Sequence, residues 1–149
     1  MALVLDCSIS LSWFFPGERT AFTEAALDLV ALEECWVPAV WRLEFPNALL
    51  VAERRRRLSR EERYQVLDEA SRLRIRVDGA VPELRAISDM AERHDLSTYD
   101  AAYLVLAARH GATLLTLDKG LAAAATQAGI AVHAPGRISA AQLRGRYNI

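Results

Sequence analysis

Two short apolar runs in this chain each end in an aspartate: LVLD closes at Asp6 and LLTLD at Asp118. In open parallel sheets, ligands gather beyond the carboxyl ends of the strands, so both acids are expected at one functional edge. A second candidate strand feeds the same edge and is followed by Glu44 in WRLEF, an acid flanked by bulky apolar residues. The fourth acid, Asp100, lies in LSTYDAAYLVLA. There Ser97 and an acid three residues later approximate a capping box. Tyr103, Leu104 and Ala107 share its helical stripe, which turns the carboxylate toward an apolar surface.

Four convergent carboxylates repel one another, by about 4 kcal/mol for two charges 4 Å apart at an effective dielectric of 20. They stay ionised beside a cation; without one, some protonate. An all-oxygen donor set with no nearby Cys or His favours Mg²⁺ or Mn²⁺ over zinc. Carboxylate-held Mg²⁺ suits in-line attack of water on a phosphodiester. Each acid also has a structural role open to it. Asp6 and Asp118 can cap helices after strands, Glu44 can pair with Arg42, and Asp100 can be the capping-box acid. Taken singly, such roles are the commoner ones. Four acids at topologically related positions shift the balance toward a shared site.

The elements that must position these acids follow from the hydrophobic pattern. Candidate strands are Leu3–Leu5, Trp36–Val37, Leu73–Val77, Thr113–Leu117 and Ile130–His133. The third, LRIRV, alternates apolar and basic residues and reads as an edge strand with one wet face. Helical patterns run over 20–32, 40–57, 59–72, 82–94, 97–110 and 119–128. Ser59 with Glu62 forms a capping box, and Gly111 and Gly129 stand where helices should stop. Pro46 removes a backbone bond within the 40–57 helix and should kink its first half. Strand–helix alternation of this kind predicts an α/β sandwich around a mainly parallel sheet of about five strands.

At 149 residues the chain fits one domain, over 1–149, with no repeat or linker to mark a second. Apolar residues make up 52% and charged residues 25%, a globular balance. The net charge of −1 announces no overall affinity for nucleic acid, but its distribution is uneven. Residues 119–149 carry Lys119, Arg137, Arg144 and Arg146 and no acid. Lys119 is the best placed of these to touch a phosphate beside Asp118. The run Arg54-Arg55-Arg56-Arg57 ends a helix, where positive charge complements the dipole; recruitment of phosphate groups is its second reading. Trp13-Phe14-Phe15 is expected to pack in the core, or, if exposed, to form a groove for a partner peptide.

Cys7 and Cys35 make neither a disulfide framework nor a C-x-x-C metal pair and read as buried thiols of a reducing cytoplasm. His94, His110 and His133 have no triad-like partners. No run of about 18 apolar residues suggests a membrane span, and Met1–Leu5 lacks the basic start of a signal peptide.

Three blocks, VLDCSISLSWFFPGE, VPAVWRLEFPNALLVAERRRRLS and HDLSTYDAAYLVLAARHGATLLTLDKGLAAAA, span nearly the whole chain. In this order and spacing the chain resembles the PIN-domain ribonucleases, and among them the VapC toxins of type II toxin–antitoxin systems. The resemblance implies a three-layer α/β/α fold, Mg²⁺- or Mn²⁺-dependent endoribonuclease activity, a homodimer and inhibition by a cognate VapB-like antitoxin. Carried over position by position, it assigns Asp6, Glu44, Asp100 and Asp118 to the metal site. Ser8 and Thr116 match the supporting hydroxyls, and Asn47 falls near the site. Pro46 departs from the family's helix and bears on the aim of Glu44. Two other readings compete: an inactive PIN-like module that binds RNA or protein, and a phosphorelay receiver. The receiver needs paired acids after the first strand, where only Asp6 stands.

Overall fold

A computed structural model describes residues 1–149. Five parallel strands form one sheet in the order β3-β2-β1-β4-β5: β1 (Ala2–Leu5), β2 (Glu34–Pro38), β3 (Ile75–Asp78), β4 (Thr113–Leu115) and β5 (Val132–His133). Eight helices accompany them: α1 (Cys7–Ser12), α2 (Ala21–Leu32), α3 (Trp41–Arg54), α4 (Arg60–Ala70), α5 (Leu84–His94), α6 (Thr98–His110), α7 (Lys119–Gln127) and α8 (Ala140–Tyr147). All five expected strands are present, and β3 is an edge strand as its alternation predicts.

The three layers follow from the two-residue period of the strands. In β1, Val4 turns to one face and joins Phe45, Leu49, Tyr103, Leu104 and Leu114. Leu3 and Leu5 turn to the other and join Phe22, Ala26, Leu29, Val37 and Leu143. Helices α3, α4, α6 and α7 therefore cover one face, and α2 and α8 the other. A strand buried on both sides must be apolar at every position, which is why β1 reads as a continuous run. Leu104 is fully buried between α6 and the sheet. Truncating it to alanine is expected to cost about 3 kcal/mol, read as a lower denaturation midpoint.

Local chemistry sets the helix limits. Ser59 and Glu62 form the expected capping box of α4, and Ser139 with Gln142 forms another at α8. Gly111 ends α6 in the left-handed conformation, at φ 57°. Helix α3 continues through Pro46 as one element, ending at Arg54 rather than at 57. Trp13 and Phe15 are buried, and the Trp13 indole N–H donates to the Thr23 carbonyl at 2.7 Å, so this aromatic cluster packs in the core. Cys7 and Cys35 are buried free thiols, and burial lifts the Cys35 thiol to about 12. No helix is long and apolar enough to cross a membrane.

Asp78 ties the edge strand to α6. The ring of His110, its Nε2 2.7 Å from Asp78 Oδ2, the Ala80 backbone N–H and the Arg109 guanidinium hold its carboxyl down from 3.8 to about 2. A carboxyl lowered on folding adds stability above its unfolded pKa, and that stability fades as pH falls through the folded one. Solvent near the exposed Arg109 screens part of this gain, so Asp78→Asn is expected to cost on the order of 1 kcal/mol at pH 7. Urea titrations of both proteins should converge as pH drops from 3.8 toward 2.

Candidate active site

Asp6 leaves the carboxyl end of β1 and is buried. Its side chain does not cap α1. Instead its carboxylate oxygen Oδ2 accepts hydrogen bonds from the Ser8 hydroxyl at 2.6 Å and the Thr116 hydroxyl at 2.8 Å. Both hydroxyls are themselves held by the β4–α7 turn: Leu117 N–H donates to Ser8 Oγ and Asp118 N–H to Thr116 Oγ1. The central strands thus lock one carboxylate in a single orientation at the sheet edge. The parallel pairing of β1 with β4 makes this inevitable, since Leu5 lies opposite Leu115, one residue before Asp6 and Thr116 respectively.

The other three acids approach from separate elements. Glu44, half-buried in the first turns of α3, makes no ion pair with Arg42; its Oε1 accepts from the Tyr103 hydroxyl at 2.7 Å. Pro46 therefore leaves Glu44 aimed inward, against α6. Asp100 lies in the first turn of α6, where the Ser97 hydroxyl accepts from its backbone N–H at 3.1 Å. No capping box closes back onto the Ser97 backbone, so Ser97 caps the helix, and its hydroxyl offsets part of the rise in the Asp100 pKa. Asp118 is the exposed member and takes the capping role, accepting from Leu121 N–H at 3.0 Å. A Cβ at Gly120 would stand 3.2 Å from Asp118 Oδ1, so glycine leaves that carboxylate its room. Asn47 lies exposed on α3, and Lys119 opens α7 in solvent.

The four carboxylates feel one another. Burial raises the pKa of Asp6, against the pull of Ser8 and Thr116, and the charge of Asp118 adds to the rise. Burial likewise raises Glu44, with Asp6 and Asp100 contributing; it raises Asp100, with Asp6 and Asp118 contributing. None of the four makes a salt bridge with Lys, Arg or His. As they stand, no three His, Cys, Asp or Glu side chains are close enough to hold one metal ion together. The donor set itself is all oxygen, partly buried and uncompensated, which fits a hard divalent ion.

The helical stripe shared with Leu104 and Ala107 makes Tyr103 an apolar anchor. The structure gives it a second role as well. It is buried among the core residues, and its hydroxyl is the one side-chain donor to Glu44. The signal was present in the Y-D-A-A-Y block, where a polar-tipped aromatic one turn after Asp100 needs a partner when buried.

A five-stranded parallel α/β sheet thus carries acids from four elements toward its carboxyl edge. The sequence model of the PIN domain matches residues 3–127. Ribonuclease VapC3 of Pyrobaculum aerophilum is 32% identical over 124 residues, covering 82% of this chain and 93% of that protein. The chain belongs to the PIN-domain family.

Solved structures share the fold. The crystal structure of PAE2754 from Pyrobaculum aerophilum superposes with a TM-score of 0.67 at 18% identity, over 97% of this chain and 96% of that one. VapBC2 from Rickettsia felis, bound to a DNA fragment from its promoter, gives 0.66 at 13% identity over 90% and 98%. FitAcB from Neisseria gonorrhoeae gives 0.66 at 19% identity over 91% and 99%.

Proposed function

We propose that this protein is a VapC-like endoribonuclease toxin, a single PIN domain over residues 1–149, that hydrolyses RNA phosphodiester bonds with Mg²⁺ or Mn²⁺. The observation that carries the reading is the cluster of Asp6, Glu44, Asp100 and Asp118. Three of these acids are raised in pKa by burial and by one another, and no protein cation offsets any of the four. The kinship with Ribonuclease VapC3 supports the choice of RNA as substrate.

In this reading the four carboxylates hold the metal, directly or through water. When bound, the ion supplies neutralisation of phosphate charge and activation of the attacking water. The chain's own residues fix the geometry. Ser8 and Thr116 hold Asp6, Tyr103 holds Glu44, Ser97 sets the start of α6 and so the place of Asp100, and the α7 cap sets Asp118. No protein general base is required. In-line attack of water on phosphorus expels the 3′ oxygen, so the products carry a 5′-phosphate and a 3′-hydroxyl. Incubating the purified protein with RNA and Mg²⁺ and mapping the new ends tests this. Ligatable 5′-phosphate ends are expected; 2′,3′-cyclic phosphates would contradict it.

Tyr103→Phe isolates the positioning of Glu44. A hydrogen bond to a charged group is worth roughly 1.5–3 kcal/mol. Losing this one should lower Mn²⁺ affinity by about tenfold, seen by calorimetry, while the circular dichroism spectrum is unchanged.

The chain's partners follow from the same kinship. A VapB-like antitoxin would restrain the nuclease, and a homodimer fits the large apolar side chains left in water at Val81 and Leu84. Val81 lines a groove together with Val40, Pro82, Ala102 and Val105. The setting is the cytoplasm, where RNA is met and the two thiols stay reduced. The competing reading, an inactive module, predicts metal binding without cleavage.

A further inference from the structure

The turn between α3 and α4 carries more positive charge than the fold uses. Arg57 pairs with Glu18 at 3.1 Å and lies over the Phe15 ring, and Arg63 pairs with Glu53 at 3.4 Å. These contacts, the buried Leu58 and the Ser59–Glu62 capping box hold the turn in one conformation. Arg54, Arg55 and Arg56 are exposed and make no ion pair or side-chain hydrogen bond.

The backbone singles out Arg56. Helix α3 ends in a Schellman motif, with Arg57 N–H bonding to the Ala52 carbonyl at 2.8 Å and Arg56 N–H to that of Glu53 at 2.9 Å. Arg56 sits at φ 61°, the left-handed position that glycine fills at least cost. A side chain kept where glycine is preferred points to a use for that side chain. Distance is the third observation. Arg55, the residue that caps α3, follows Glu44 by eleven residues, so the tip stands three helical turns, about 16 Å along the axis, from that acid.

We infer that Arg54, Arg55 and Arg56 form a rigid phosphate-binding tip. It grips the backbone of single-stranded RNA a few nucleotides away from the bond being cut. Guanidinium forks match phosphate oxygens, and a tip three turns from Glu44 sets the path of the strand without touching the reacting phosphate. The inference rests on RNA being the substrate.

The test measures binding of a fluorescein-labelled 20-nucleotide single-stranded RNA to the Asp100→Asn protein across 50–200 mM salt. Replacing all three arginines with glutamine should weaken binding at least about tenfold and lower the slope of log affinity against log salt by about 2. The triple lysine variant should retain most of the affinity. Arg56→Gly alone should weaken binding while raising the melting temperature, which a merely structural arginine would not do. In the otherwise unaltered enzyme, the triple glutamine variant should raise KM at least about tenfold with kcat unchanged. Unchanged affinity and slope, in a protein that still cleaves RNA, would overturn the tip and leave the nuclease standing. Displacement of the RNA by poly-glutamate at equal charge would also overturn it, marking a surface for an acidic protein instead. A parent protein that neither binds nor cleaves RNA would remove both.

Discussion

Asp100→Asn is expected to abolish RNA cleavage and to make the metal-free protein more stable. The two effects have one cause. Asp100 is held in the first turn of α6 among the charges of Asp6 and Asp118, and its burial and those charges raise its pKa. As an anion without a cation it destabilises the fold; as a ligand it would hold the ion that neutralises charge on the reacting phosphate. Removing a ligand that supplies several kcal/mol of that stabilisation should cost on the order of 10³-fold or more in kcat/KM. Asparagine keeps the size of the side chain and removes the charge, so repulsion is relieved and the melting temperature without metal rises. A ribonuclease assay and a thermal melt on the same preparation check both halves. A variant that loses stability together with activity would mark Asp100 as a structural residue instead.

The second large effect concerns pH and divalent ions. Asp6, Glu44 and Asp100 all have pKa values raised on folding. A carboxyl raised on folding destabilises once it ionises: the native state is favoured below the unfolded pKa and loses stability as pH climbs through the folded value. In EDTA, therefore, stability should decline from about pH 4 upward more than it does in the Asp6→Asn protein. Saturating Mn²⁺ should cancel the decline, because a ligand bound only by the native state adds RT ln(1 + [L]/Kd), about 2.7 kcal/mol at a hundredfold excess over Kd. Asp78 acts in the opposite sense at the far acid end, below 3.8, so the two contributions separate on the pH axis. Melting curves at pH 4 to 8, with and without Mn²⁺, read this directly.

The parts of the fold legible in the sequence are those governed by strong local patterns. Leu3-Val4-Leu5 and Leu114-Leu115 are unbroken apolar runs because both faces of β1 and β4 are covered, and Asp6 and Asp118 beyond them mark the carboxyl edge. Edge strand β3 gave itself away by alternation. Two short helices went unread. Helix α1, CSISLS, is six residues that are weak helix formers except for Leu11, held by the buried Ile9 and Ser12 rather than by propensity. Helix α8 follows a capping box at Ser139 and Gln142 and is fastened to α2 by an Arg144–Asp28 ion pair and the buried Leu143, contacts no local pattern announces.

The site divides in the same way. That four acids share an edge follows from strand order and helix starts. Which of them caps a helix does not: Asp118 does so, Asp6 does not, and Asp100 leaves the capping to Ser97. The Tyr103–Glu44 bond spans 59 residues of sequence and exists only because α3 and α6 pack on the same face of the sheet. Pro46 raised a question about Glu44 that this bond answers.

The central claim is that the carboxylates hold a divalent ion in order to cut RNA. It is tested most directly by titrating Mn²⁺ into the protein in a calorimeter and assaying the same sample for RNA cleavage. Saturable binding that disappears in Asp6→Asn, with cleavage that appears only in the ion-bound sample, is the predicted result. Saturable binding with no cleavage of any RNA offered, or cleavage that persists in Asp6→Asn, would contradict it.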